Sequence, residues 1–131
     1  VALNRMMARR GAAWWESAIR RAANVVVVEV GGEIAGYATL GRNRATKLPQ
    51  KGEIYELYLK PEYQGIGLGS RLFAAARARL ASLGLKGLVV WALEDNAGAL
   101  SFYSGLGGRD VAEDVEVFDA KALRKVAFVW N

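Results

Sequence analysis

The chain has 131 residues, of which 53% are hydrophobic, so it can bury one sizeable core and is too short for two ordinary domains. Residues 1–131 are therefore predicted to form a single domain. The absence of Cys and His excludes disulfides, thiolate metal sites, a cysteine nucleophile and the most common general base. Proton transfer must then fall to Glu, Asp, Tyr, a terminal amine or water. The formal charge of +5 suits an anionic partner or merely a solvated basic surface, and alone it decides nothing.

No apolar run approaches the roughly 20 residues that a membrane-spanning helix needs. The first 23 residues mix arginines with small and aromatic residues, which is unlike a secretory leader. We therefore expect a cytoplasmic protein with no membrane partner. The chain starts with Val1 rather than Met, so we also expect that an N-terminal piece is missing.

A helix, an antiparallel hairpin and a third strand are predicted in the first half of the chain. In residues 14–23, aromatic and aliphatic side chains recur at helical spacing. Strand-like runs on both sides of Gly31-Gly32 make residues 25–42 an antiparallel hairpin. After a basic loop over residues 41–52, the third strand runs from Glu53 to Leu59.

The third strand carries two carboxylates, and their directions matter for any chemistry. Successive side chains of a strand point to opposite faces of its sheet. This alternation predicts one face with Glu53, Tyr55, Leu57 and Leu59, and another with Ile54, Glu56 and Tyr58. Glu53 and Glu56 are therefore expected on opposite faces, where they cannot both approach one substrate group.

The second half of the chain is predicted to contain two helices and three strands. Apolar side chains from Leu72 to Leu83 share one stripe of a helix. Residues 87–93 read as a short apolar strand, and Asn96 is a plausible N-cap for the short helix after it. Two final strands are predicted near residues 109–118 and 124–130.

A glycine-rich turn, Gln64-Gly65-Ile66-Gly67-Leu68-Gly69, separates the third strand from the longer helix. First-turn amides and the helix dipole make such a junction an anion site, and glycines let a phosphate approach closely. The same glycines would also suit a turn that only permits tight packing. A P-loop is excluded, because Ser70-Arg71 follows where Lys and then Ser or Thr are needed. The G-x-G-x-G spacing and the preceding hairpin disfavour a dinucleotide fingerprint.

The turn instead satisfies the signature Q/R-x-x-G-x-G/A with Gln64, Gly67 and Gly69, and so resembles the coenzyme A-binding motif of the GNAT superfamily of N-acetyltransferases. Residues 96–103, from Asn-Ala to Phe-Tyr, are similar to the family's N-x-x-A-x-x-F/L-Y pattern. The pair of motifs at this separation is more specific than either alone, and the likeness covers roughly residues 13–130. Gly108 departs from the family, which often carries an aromatic residue there.

The resemblance implies the α+β fold of the acyl-CoA N-acyltransferases, in which helices flank a mixed, mostly antiparallel and twisted sheet. Family members usually begin with a strand and a helix that are not evident before Trp14, so we expect these to be absent. Dimerisation is common in the family, and the resemblance therefore allows a homodimer.

The resemblance also implies acetyl-CoA as cosubstrate, without a metal. The residues that inherit contact with the pyrophosphate are Gln64, Gly65, Ile66, Gly67, Leu68, Gly69 and Ser70. The strand before the turn usually pairs with the pantetheine arm, a role that Leu57, Tyr58 and Leu59 inherit. Asn96 matches a residue that contacts the same arm, and helix capping is an equally good explanation for it.

Chemistry in the family is direct attack of a neutral amine on the thioester, with no covalent enzyme intermediate. Tyr103 matches the tyrosine that protonates the leaving thiolate, although a tyrosine on this stripe also suits a core. The amide of Leu57 or Leu59 is a candidate oxyanion donor. Glu53 and Glu56 are both candidates for the base, with a slight preference for Glu53, and a water relay would make either unnecessary.

The resemblance therefore predicts an N-acetyltransferase that transfers acetyl from acetyl-CoA to a primary amine of a small molecule, peptide or protein. A catalytically inactive coenzyme A-binding sensor or structural module is the alternative, since a fold does not guarantee turnover. Nucleic-acid binding would rest on the basic loop and on charge alone, so we expect no nucleic-acid partner.

Overall fold

The structure, a computed structural model, describes residues 24–131, and the helix predicted over residues 14–23 lies outside this range. The strands are β1 (Val25–Val30), β2 (Glu33–Arg42), β3 (Gly52–Leu59), β4 (Leu88–Leu93), β5 (Arg109–Phe118) and β6 (Lys121–Trp130). The helices of the described range are α1 (Leu68–Ser82) and α2 (Ala97–Gly105), with a short 3-10 turn over Pro61–Tyr63. No helix in this part of the chain is long and apolar enough to cross a membrane.

The six strands form one mixed sheet in the order β1-β2-β3-β4-β6-β5. The predicted hairpin is confirmed, because β1 and β2 pair antiparallel around Gly31-Gly32. β3 and β4 are the parallel pair, and they are joined only between Gly52–Ile54 and Leu88–Val90. Beyond these residues the two strands separate. The mixed, mostly antiparallel sheet implied by the family resemblance is thereby confirmed.

One face of the sheet holds the main core, which is formed against both helices. α1 buries Leu72, Phe73, Ala76 and Leu80 on this face. Leu83, predicted to continue the stripe, is instead 41% exposed. Leu83 is the C-cap residue, and Gly84 follows it in the left-handed region with φ of 75°. The regular helix has therefore ended before Leu83, and its side chain does not join the buried stripe.

The last hairpin is longer than predicted. β6 begins at Lys121 rather than near residue 124, because its pairing with β5 continues to Phe118. The connecting residues Asp119 and Ala120 both have positive φ, of 50° and 62°. A two-residue turn of this kind matches the twist of its strands, so the ladder reaches the turn itself.

A β-bulge in β3 overturns the prediction that Glu53 and Glu56 lie on opposite faces. β2 pairs Thr39 with Glu56 but Leu40 with Ile54, so Tyr55 is an extra residue on β3. Strict alternation fails at such a residue. Leu57 therefore returns to the α1 face with Ile54, where both pack in the main core. Glu53 and Glu56 share the opposite face.

Candidate active site

A cleft of about 470 Å³ lies where β3 and β4 separate, between the start of α1 and the start of α2. Its lining residues are Leu57, Leu59, Gln64, Gly65, Gly67, Gly69, Ser70, Asn96, Gly98, Ala99, Phe102 and Tyr103. The structure thus brings both sequence motifs to one cavity, although they are far apart in the chain. Of the other predicted site residues, Ile66 is 66% exposed and Tyr58 packs on Tyr37 across the sheet's other face.

The glycine turn is shaped as an anion site. Gly65 and Gly67 have φ of 80° and 86°, in the region that favours glycine. The first hydrogen bond of α1 runs from the Arg71 amide to the Gly67 carbonyl, at 3.3 Å, and Gly67 supplies no side-chain cap. The amides of Leu68, Gly69 and Ser70 precede that bond. At the positive end of the helix dipole they can therefore bind a phosphate.

Gln64 ties the glycine turn to the end of β3. Its side-chain amide donates a hydrogen bond of 3.0 Å to the Leu59 carbonyl. Gly69 is packed closely from the other side, because a side-chain carbon there would lie 3.3 Å from the Phe102 ring. The turn is thus held between β3 and α2, which gives Gln64 and Gly69 a packing role.

β3 presents an open edge to the cleft. β2 covers one edge of β3, while pairing with β4 on the other edge stops at Ile54. From Tyr55 to Leu59 the edge facing β4 has no strand partner among the described residues. Its backbone groups can pair with an extended ligand as an added strand would.

Tyr103 stands at the cleft within an aromatic cluster. Its side chain is 7% exposed, and the rings of Phe102, Phe128 and Trp130 lie with centroids 5.2, 5.9 and 6.1 Å from its own. Burial raises the pKa of Tyr103 from 10.0 to about 12. The phenol therefore keeps its proton at ordinary pH and can serve as a donor.

Asn96 acts as the N-cap of α2, as predicted. Its side-chain oxygen accepts a hydrogen bond of 3.0 Å from the Ala99 amide. The same residue lines the cleft. Helix capping and contact with a ligand are compatible here, because the cap uses the oxygen and leaves the side-chain NH₂ group as a donor.

Glu53, like Glu56, is not among the residues that line the cleft. Its side chain is 2% exposed, and one carboxylate oxygen accepts from the Arg44 amide at 2.9 Å. The other accepts from the Arg44 guanidinium at 3.0 Å. Both oxygens are therefore occupied by one partner. Sequence reasoning missed Arg44, whose only signal was its place in the basic loop.

Glu56 has a different environment, on the same face of the sheet. It is half-buried, and the Thr39 hydroxyl donates to it at 3.2 Å. Burial raises the pKa of the Glu56 carboxyl, while the Thr39 hydrogen bond and the Arg44 charge oppose this. A carboxyl with a raised pKa is a stronger base when ionised, and the Thr39 hydroxyl is the one side-chain donor to Glu56 among the described residues, so this carboxylate can accept a proton.

The unusual Gly108 is explained by Trp130. A side-chain carbon at position 108 would lie only 2.6 Å from the indole ring. The indole nitrogen donates a hydrogen bond of 3.1 Å to the Leu106 carbonyl, and the ring packs on Phe73 at 4.9 Å. Trp130, from β6, thus supplies an aromatic ring beside the position where the family often carries one.

A second cavity, of about 630 Å³, lies at the far end of α1 near Gly84 and Lys86. It contains none of the predicted catalytic or cofactor-binding residues. Among the described residues there is also no group of three or more His, Cys, Asp or Glu side chains that could hold a metal ion.

Comparisons with known proteins agree with this fold. The family model described as Acetyltransferase (GNAT) family matches residues 4–107, and the chain belongs to this family. An uncharacterized N-acetyltransferase of Bacillus subtilis (strain 168), YuaI, is 31% identical over 99 residues, which are 76% of this chain and 57% of that protein. A mycothiol acetyltransferase of Pseudarthrobacter chlorophenolicus is 36% identical over 84 residues, or 63% of this chain.

The match covers only 26% of that mycothiol acetyltransferase. This chain therefore spans 57% of the length of the first relative and about a quarter of the length of the second. Among solved structures, yncA of Salmonella typhimurium, determined with its cofactor acetyl-CoA, superposes with a TM-score of 0.69 at 25% identity. That superposition covers 90% of this chain and 69% of yncA.

Proposed function

We propose that the protein transfers the acetyl group of acetyl-CoA to a primary amine of a small molecule, peptide or protein. The observation that carries the proposal is the cleft, where the free amides at the start of α1, the open edge of β3 and Tyr103 meet. Membership of the GNAT family supports it, as do the names of the relatives and the acetyl-CoA bound to yncA.

In the proposed complex, the pyrophosphate binds the amides of the glycine turn and the pantetheine arm lies along β3. Leu57 and Leu59 line this path. A pantetheine arm extended along it would bring the thioester close to the point where β3 and β4 separate. The Leu57 amide would then stabilise the oxyanion. Asn96 would donate to the pantetheine arm from the opposite wall.

The proposed reaction is direct. The amine nitrogen attacks the thioester carbon, the carbonyl oxygen becomes an oxyanion, and the carbon–sulfur bond then breaks. The Tyr103 hydroxyl gives its proton to the leaving thiolate, and the amine loses a proton to a base. We assign Glu56 as that base in preference to Glu53. The support is that Glu56 is half-buried with one weak partner, whereas Glu53 has both oxygens bound by Arg44.

Thermal unfolding with and without acetyl-CoA tests the binding half of the proposal. At 100 times its dissociation constant the cofactor should stabilise the protein by about 2.7 kcal/mol. Gly67→Val should lose this stabilisation, because a β-branched residue is strained at φ of 86°. Gly84→Val is the matched control, since it also replaces a glycine of positive φ but lies at the other end of α1. An equal effect of acetyl-CoA on both variants would contradict the assigned site.

Thiol release across a panel of amines tests the transfer half. We expect turnover with at least one class of small amine or peptide amine, and Glu56→Gln should remove the acidic limb of its pH profile. Stabilisation by acetyl-CoA without thiol release from any amine would overturn the transfer reaction and favour a coenzyme A-binding module.

A further inference from the structure

Arg44 contacts two side chains at the bulge in β3, those of Glu53 and Tyr55. Its guanidinium and backbone amide bind Glu53, before the bulge, at 3.0 and 2.9 Å. The same guanidinium covers the ring of Tyr55, the bulged residue, with its central carbon 4.1 Å from the ring centroid. Arg44 is 68% exposed, so fixing its side chain in this position loses conformational entropy, which the contacts with Glu53 and Tyr55 must offset.

The side chain of Tyr55, the bulged residue, is also held at its hydroxyl end. The Tyr55 hydroxyl donates a hydrogen bond of 2.7 Å to the Arg42 carbonyl. It passes so close to Gly41 that any side chain there would lie 2.6 Å from the hydroxyl. Tyr55 is thereby confined between β2 and Arg44, although it is omitted from the pairing of β2 with β3.

The loop that presents Arg44 is itself rigidly built. The Asn43 side-chain amide donates to the carbonyls of Ala45, Leu48 and Gln50, at 3.0, 3.2 and 2.8 Å. Its oxygen accepts from the Ala45 amide at 2.8 Å. These four hydrogen bonds of one side chain hold the loop backbone next to Arg44 in place.

The residues after the bulge are those that the proposed reaction needs. Glu56 follows Tyr55 and stays on the face of Glu53, while Leu57 turns to the cleft. If the bulge were lost, strict alternation would exchange their directions. We propose that Arg44 is a positioning residue for the transfer: by binding Glu53 and covering Tyr55, it maintains the bulge that aims Glu56 and the Leu57 backbone. This inference rests on the function proposed above.

The test compares Arg44→Gln, Glu53→Gln and their double variant, with Lys47→Gln as control. Lys47 is an exposed residue of the same loop, so its variant removes the same charge without touching the bulge. Arg44→Gln leaves the buried Glu53 carboxylate unpaired, which destabilises the fold. The double variant removes that charge, so it tests the proposal even if Arg44→Gln does not fold. Arg44→Lys keeps the charge but not the forked geometry.

We expect each single variant to lower kcat by about 10- to 100-fold, as small misplacements of reacting groups do, with the KM for acetyl-CoA changed less than about twofold. The double variant should be no worse than the singles, because both disrupt one unit. Arg44→Lys should recover part of the rate, and Lys47→Gln should match the wild type. Unchanged stabilisation by acetyl-CoA keeps this result separate from failure of the proposed cofactor site.

The pH profile gives a readout that a merely structural role would not move. Among the described residues, Glu56 faces Tyr37 and Thr39 on β2 and Arg44 on the loop. Arg44→Gln should therefore move the acidic limb of kcat/KM to higher pH, and Glu53→Gln should retain a limb. A double variant with wild-type kcat would overturn the proposal. The proposal would also be overturned if Glu53→Gln lost the acidic limb while Glu56→Gln kept it, because Glu53 would then be the base.

Discussion

Replacing Tyr103 by Phe removes one hydroxyl from the cleft and leaves the aromatic ring in place. The ring is buried among Phe73, Phe102, Phe128 and Trp130. Among the described residues the hydroxyl has no hydrogen-bond partner, so its loss at neutral pH should change the free energy of unfolding by less than about 1 kcal/mol. Tyr103→Ala, in contrast, would empty the cluster and cost about 3 to 5 kcal/mol.

The same substitution should reveal the burial of the phenol at alkaline pH. The folded-state pKa of Tyr103 is raised from 10.0 to about 12, so the unfolded chain loses this proton more readily than the folded protein does. The resulting stability is complete below pH 10 and is lost as the pH rises toward 12, for a total of about 3 kcal/mol. By pH 11 the wild type should have lost about 1.4 kcal/mol relative to Tyr103→Phe.

Two measurements check this pair of expectations. Thiol release from acetyl-CoA should show kcat reduced by about 10² to 10⁴, the range of a lost general acid. Urea unfolding at pH 8 and pH 11 should show the two proteins nearly equal at pH 8 and the gap opening at pH 11. A variant with wild-type kcat would refute the acid role of Tyr103, and a gap that does not change with pH would refute the argument from burial.

Two further predictions concern stability. Gly108→Ala should lower the free energy of unfolding by about 1 to 3 kcal/mol through collision with Trp130, whereas Gly105→Ala, in a helix with no atom near its new carbon, should be neutral or stabilising. Equal urea midpoints would contradict the packing described at Gly108. Asn96→Ala should cost about 1 kcal/mol by removing the cap of α2, and Asn96→Asp should restore it. Asn96→Asp keeps the capping oxygen but loses the NH₂ donor, so it should raise the KM for acetyl-CoA if Asn96 contacts the cofactor. An unchanged KM would mean that Asn96 serves only as a cap.

Much of the fold could be predicted because its signals are local. The hairpin at Gly31-Gly32, the apolar stripe of α1 and the cap at Asn96 depend on residues a few positions apart. The glycine turn is of the same kind, because a helix start and positive φ angles at Gly65 and Gly67 need only nearby residues. Errors arose at element ends, where Leu83 turned outward and β6 began at Lys121.

The sequence by itself therefore determined that this protein has a glycine-rich turn at the start of a helix, and the spacing of the turn residues indicated the family. Only the tertiary structure distinguished the environments of the two candidate carboxylates, Glu53 and Glu56. The bulge at Tyr55 is set by pairing with β2, and both oxygens of Glu53 are bound by Arg44 from the loop between β2 and β3. The register of one strand against another depends on the whole sheet, so alternation along β3 alone could not reveal it.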